Sequence, residues 1–133
     1  MKIIKESETL ELKKTTAELK EAVISITAIL NKHQQGVLYF GVRNDGTVIG
    51  QQIGADTLRD ISKAIANHVE PKIYPLITRV TIENKPCIRV CFKGKETPYY
   101  ASGRAHIRVA DEDRKMSAKE LENYILEKNK DIV

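Results

Sequence analysis

Apolar residues recur along this chain in two periods, and the switches between them mark out its elements. Residues 8–13 alternate, with Leu10 and Leu12 on one face, which predicts a short strand. Thr15-Thr16-Ala17-Glu18 has the form of a capping box, in which a hydroxyl and a carboxylate satisfy free backbone amides. Leu19, Ala22, Val23, Ile26, Ile29 and Leu30 follow at helical spacing and predict an amphipathic helix over about 16–32. Val37 to Val42 is apolar on both parities, as expected of a central strand covered on both sides. Asn44-Asp45-Gly46 signals a hairpin turn, because Asp and Gly tolerate positive φ, and Val48 and Ile49 supply the return strand.

The second half reads the same way. A helix over about 57–69 turns Leu58, Ile61, Ile65 and Val69 inward and is ended by Pro71. Residues 76–82 and 87–92 alternate cleanly and predict a hairpin around Asn84-Lys85, and 105–109 is another alternating strand. Ser117-Ala118-Lys119-Glu120 is a second capping box, opening a last helix that buries Leu121, Tyr124 and Ile125. This order implies an α+β fold: a mixed or antiparallel sheet with helices packed mainly on one face.

Strand alternation also predicts where the basic residues point. Leu76, Val80 and Ile82, then Ile88, Val90 and Phe92, then Ala105, Ile107 and Val109 form the expected apolar face. The opposite face would carry Arg79, Arg89, Arg104, His106 and Arg108. A three-residue loop from Glu83 to Lys85 would set Arg79 directly across from Arg89, an unfavourable pairing of like charges. Two readings follow: a solvated face whose arginines pair with Asp111, Glu112 or Asp113, or a surface that holds an anion such as nucleic acid. Tyr99 and Tyr100 are the candidates for base stacking, with core or edge packing as the alternative.

Composition narrows the classes. The 133 residues fit one domain, residues 1–133, long enough to build a core without disulfide or metal staples. No stretch approaches the length of a membrane span and no signal peptide is visible, so a cytoplasmic location is expected. Cys87 and Cys91 are too far apart along one strand to bridge, and with three His they offer no paired metal-ligand spacing. The net charge of +4 and pI of about 9.0 permit a nucleic-acid partner without demonstrating one.

Three segments carry the most specific signal. They are Glu6-Ser7 with Glu11-Leu12-Lys13, then Gly41-Val42 with Asn44-Asp45-Gly46 and Val48-Ile49-Gly50, then Tyr99-Tyr100 with Gly103 to Val109. In this order and spacing they resemble the Schlafen AlbA_2 domain family, also described as divergent AAA_4. The chain departs from that pattern at Leu30 to Gly36, where the family has Ala-Asn-Thr-x-Gly-Gly, and at Arg43, where it often has an acidic residue. No Gly-x-x-x-x-Gly-Lys-Ser/Thr phosphate loop accompanies the resemblance.

The resemblance implies a domain working on nucleic acid, DNA or RNA, of the kind attached to transcriptional regulators and helicase-like proteins. In RNA-cutting relatives two glutamates of the first block and an aspartate of the second form the active site. By position these are Glu6, Glu11 and Asp45, which would hold Mg²⁺ or Mn²⁺ and activate a water for attack on phosphate. Their odd spacing would put Glu6 and Glu11 on opposite faces of an unbroken strand, so convergence requires a bend near Ser7–Thr9. Three functions are therefore open: a nucleic-acid-binding module, a metal-dependent endoribonuclease acting on structured RNA such as tRNA, and a dimerisation or protein-interaction domain. The two-lobed Schlafen nuclease core implies a homodimer for a single lobe.

Overall fold

The computed structural model describes residues 4–130; residues 1–3 and 131–133, the ends of the expected domain, lie outside the described residues. Two four-stranded sheets are present, and the fold is α+β. The first has the order β1 (Leu10–Lys13), β2 (Gln35–Phe40), β5 (Lys85–Lys93), β4 (Leu76–Ile82). The second joins β3 (Val69–Glu70), β6 (Tyr100–Ala101), β7 (Arg104–Val109) and β8 (Glu112–Lys115). β1 and β2 run parallel, joined through α1 (Leu19–His33), and the other strand pairs are antiparallel.

The first helix begins with a 3₁₀ turn over Thr16–Glu18, where Thr15 Oγ accepts from the Ala17 N–H at 2.9 Å. Glu18 reaches back to the Lys14 N–H, not to that of Thr15, so the capping residues act one position out of the expected register. α1 ends at Gln34, whose left-handed φ of 64° turns the chain straight into β2. Gly36 makes the turn possible: a Cβ there would stand 2.7 Å from Ile29 and 2.8 Å from Phe92. Almost every residue of α1 from Ala22 to Asn31 is buried, because α1 packs against β2 on one side and β7 on another. Ser25, Thr27 and Asn31 are the polar members of this stretch. Asn31 satisfies itself on the second sheet, donating to the carbonyls of Tyr99 and His106 and accepting from the Tyr99 N–H.

The main core lies between the first sheet and its helices. Ile26, Ile29 and Leu30 of α1 and Ile61 and Ile65 of α2 (Thr57–His68) meet Leu38, Phe40, Ile88, Val90 and Phe92. A smaller cluster of Leu12, Val42, Val48 and Cys87, flanked by Tyr39, Val80 and Ile82, lies apart from it. Val42 and Val48 meet at a single bridge around the Asn44–Gly46 turn, where a return strand was expected. The last helix, α3 (Ala118–Asn129), starts with the expected capping box, both arms formed between Ser117 and Glu120. Leu121, Tyr124 and Ile125 are half-buried instead of buried, with the Tyr124 hydroxyl donating to the Asn31 carbonyl at 2.5 Å.

Two expected strand phases are overturned. The β4–β5 loop has two residues, Glu83 and Asn84, both at positive φ, because Ile82 pairs with Lys85. That shorter loop places Arg79 opposite Ile88 and Arg89 opposite Thr78, so the two arginines lie on opposite faces. Val80 and Ile82 accordingly belong to the smaller cluster and do not lie under α1. Second, Arg104, His106 and Arg108 are in another sheet from Arg79 and Arg89, and their side of β7 is turned toward α1. No single face therefore carries all five basic residues. Among the described residues no helix is long and apolar enough to cross a membrane.

Candidate nucleic-acid interface

The first acidic segment folds back before β1 begins. The Ser7 N–H donates to the Leu10 carbonyl at 3.0 Å and the Thr9 N–H to Ser7 Oγ at 3.2 Å. This is the bend near Ser7–Thr9 that convergence of Glu6 and Glu11 needs. Glu6 Oε2 and Glu11 Oε2 both accept from the Leu12 N–H, at 3.2 and 3.1 Å. Glu11 shares a sheet face with Leu38 and Val90 and is only 4% exposed.

Arg108 meets Glu11 from the second sheet, with no exposed surface. Its Nη1 donates to Glu11 Oε1 and Asp113 Oδ1, each at 2.7 Å, and its Nη2 donates to the Ser7 and Leu10 carbonyls at 2.8 and 3.2 Å. Ser25 Oγ closes the cluster on Asp113 Oδ2 at 2.5 Å and lies 3.4 Å from Glu11 Oε1. Burial, then the hydrogen bond and charge of Glu11, push the Glu6 carboxyl up to about 8, so it is protonated at neutral pH. Burial works against charge on Glu11, but hydrogen bonds from Glu6 and Arg108, with the charges of Lys13 and Arg108, hold it below the usual carboxylate range. Burial likewise opposes charge on Arg108, and Glu11 and Asp113 outweigh it.

These acids do not fit the metal site implied by the resemblance. Arg108 and Lys13 already stand at the oxygens of Glu11, supplying the positive charge a metal would bring. Asp45 lies on the exposed turn after β2, its Oδ1 accepting from the Thr47 N–H at 2.9 Å. Among the described residues no group of three or more His, Cys, Asp or Glu side chains is placed to hold a metal ion. The Glu6–Glu11–Arg108 cluster instead ties the two sheets together.

The expected basic and aromatic residues separate by burial. Arg108 is internal and offers nothing to phosphate. Tyr99 is 2% exposed, its hydroxyl accepting from the Glu96 N–H at 3.1 Å, so it packs and does not stack on a ligand. Tyr100 and His106 are half-buried, Arg104 is exposed at the start of β7, and Arg79 is exposed on the edge strand. Arg89 alone of the set stands exposed on the face of the first sheet that turns away from the helices.

That face has its own composition. Register places Leu10 and Leu12 of β1, Gln35, Val37 and Tyr39 of β2, and Leu76, Thr78, Val80 and Ile82 of β4 on it. β5 contributes Lys85, Cys87, Arg89, Cys91 and Lys93, so exposed cations recur at every second position on this face. None of these strand positions is acidic. Lys85 Nζ donates to the Val48 carbonyl at 3.1 Å, and Arg89 Nε donates to Cys91 Sγ at 3.2 Å. At the Lys93 end a groove of about 540 Å³ opens between Thr9, Val37, Leu76, Cys91 and Tyr74, whose ring is 92% exposed. Sequence reasoning missed Lys85, Lys93, Tyr39 and Tyr74; the four-residue spacing of 85, 89 and 93 within one strand was the available signal.

A family model described as Schlafen, AlbA_2 matches residues 6–117. Among solved structures, the DIP2311 protein from Corynebacterium diphtheriae matches with a TM-score of 0.67 at 16% identity over 88% of this chain, which spans only 23% of that protein's length. The N-terminal domain of a RecG-related protein from Nitrosomonas europaea matches with a TM-score of 0.64 at 18% identity, covering 86% of this chain and 83% of that domain. At such identities these likenesses are likenesses of fold. No curated protein matches the chain.

Proposed function

Because the chain belongs to the Schlafen AlbA_2 family, and because one face of its first sheet is basic and is open toward its Arg89–Lys93 end, the Cys87 end being covered by Val42 and Val48, we propose that it is a nucleic-acid-binding domain that lays a single strand across the open part of that face. The observation that carries the reading is the β5 row of Lys85, Arg89 and Lys93 among apolar positions and tyrosines, with no acidic strand position beside it. Consecutive members of that row stand about 13 Å apart, enough to meet separate phosphates. Tyr74 supplies a ring face for an unstacked base, and an exposed sheet face suits a single strand better than a duplex groove. The helicase-related name of the Nitrosomonas europaea neighbour agrees with a nucleic-acid role.

The test is fluorescence anisotropy with labelled single-stranded RNA, single-stranded DNA and a duplex of the same sequence, across a salt series. Single strands should bind more tightly than the duplex. Arg89→Ala with Lys93→Ala should weaken binding to every sequence and reduce the salt slope by about 1.4, two phosphate contacts' worth. Tyr74→Ala should weaken binding by about 1–3 kcal/mol with the slope unchanged. Undiminished binding by the double variant would remove this face from consideration. Self-association lost in Leu76→Glu, in place of nucleic-acid binding, would assign the face to protein contact.

A further inference from the structure

A second cavity, of about 520 Å³, lies away from the open sheet face, among the start of α1, the end of α2 and the β6–β7 turn. Its apolar lining comes from Leu19, Val23 and Ile24 of α1, Ala64 of α2 and Ala101 of β6. Its polar lining is Lys20, His68, Ser102, Arg104 and His106, with no carboxylate among them. The mouth is pinned in place. Ser102 and Gly103 form the turn at φ of 49° and 81°, the Ser102 N–H donates to the His68 carbonyl at 2.7 Å, and Ser102 Oγ lies 3.2 Å from His68 Nδ1. His106 Nδ1 is buried and has no hydrogen-bond partner, an arrangement that costs stability unless something else fills the position. Asp113, whose charge reaches His106, is already held by Arg108 and Ser25.

We infer that this cavity binds a small amphiphilic anion, its compact apolar body on the Leu19, Val23, Ile24, Ala64 and Ala101 surface and its phosphate or carboxylate head among Arg104, Lys20 and His106. The lining supports it independently of the nucleic-acid reading. It combines an apolar floor with two cations, Lys20 and Arg104, and no carboxylate, a make-up suited to a small amphiphilic anion. Burial holds the His106 imidazole below its ordinary pKa, against the pull of the Asp113 charge.

The experiment is a titration of the ¹⁵N-labelled protein, followed by amide and histidine-ring NMR, with phenyl phosphate, benzoate, inorganic phosphate and phenol. Phenyl phosphate or benzoate should give saturable shifts clustered at Ala64, His68, Ser102, Gly103 and the His106 ring. The tighter of the two names the head group. Inorganic phosphate and phenol, each lacking half the ligand, should bind about tenfold or more weakly. Arg104→Ala, an exposed position, should weaken the anion by a similar factor while leaving phenol unchanged, and Ala64→Phe should close the cavity to both. Absence of saturable shifts with phenyl phosphate and benzoate, or equal affinity in Arg104→Ala, would overturn the inference. Because neither variant touches the open sheet face, oligonucleotide binding reports separately on the nucleic-acid proposal.

Discussion

Glu6 shows at the level of one residue how the fold resets chemistry. Burial and the neighbouring Glu11 push its carboxyl up from the ordinary 4.5 to about 8 in the folded protein. The folded state therefore holds an extra proton between those values. The stability this group contributes is complete below 4.5, declines as pH rises and is lost above about 8. A glutamine mimics the protonated side chain at every pH. Glu6→Gln should therefore match the parent's melting temperature near pH 4 and exceed it near pH 8.5, as a thermal melt at each of these roughly chosen pH values will show. Glu11 runs in the opposite sense: its contribution is present above 4.5 and is lost as pH falls through its depressed folded value. The parent should thus lose stability on both sides of a middle range, and Glu6→Gln only on the acid side.

At the level of the element, the β4–β5 loop decides more than its length suggests. Two residues in place of three move every β4 side chain to the other face, which is why Arg79 and Arg89 part. Glu83 and Asn84 take φ of 50° and 65°, the left-handed pair that a tight hairpin of this hand demands. Asn suits that conformation and Glu does not. Replacing the pair with Asn-Gly should stabilise the protein by about 1 kcal/mol, measured by chemical denaturation, with no change in nucleic-acid binding. A loss of stability would mean that the Glu83 side chain holds the turn by contacts that outweigh its backbone strain.

For the whole molecule, Arg108 is the link between the two sheets. It stands on β7 and bonds Glu11 of β1, the carbonyls of Ser7 and Leu10, and Asp113 beside its own strand. Arg108→Met would keep most of the volume but leave Glu11 buried without its main counter-charge. The expected cost is about 3–5 kcal/mol in denaturant melts, far beyond what an exposed arginine would show. A change below about 1 kcal/mol would return Arg108 to the surface role first expected of it. Replacing Arg104 on the same strand should show that smaller effect, since it is exposed.

The chain's own pattern determined the elements. Helical spacing placed α1 and α2 nearly to their ends, the Ser117–Glu120 capping box set the start of α3, and alternation found β5 and β7. These are local signals, written within a few residues of where they act. The three-block likeness likewise led to the family, and the Glu6–Glu11 parity argument correctly required a bend. Tertiary structure alone decided which sheet each strand joins and which face its polar side meets. Alternation says that Arg104, His106 and Arg108 share a side; it cannot say whether that side meets water or α1. The answer came from partners far along the chain: Glu11 meets Arg108 with a carboxylate, Asn31 meets the His106 carbonyl with an amide and Ser25 meets Asp113 of β8 with a hydroxyl, so most polar groups are buried there with their bonds made, His106 Nδ1 and Arg108 Nε excepted. The same physics left the Lys85, Arg89 and Lys93 row outside, since among the described residues no strand position on its face is acidic.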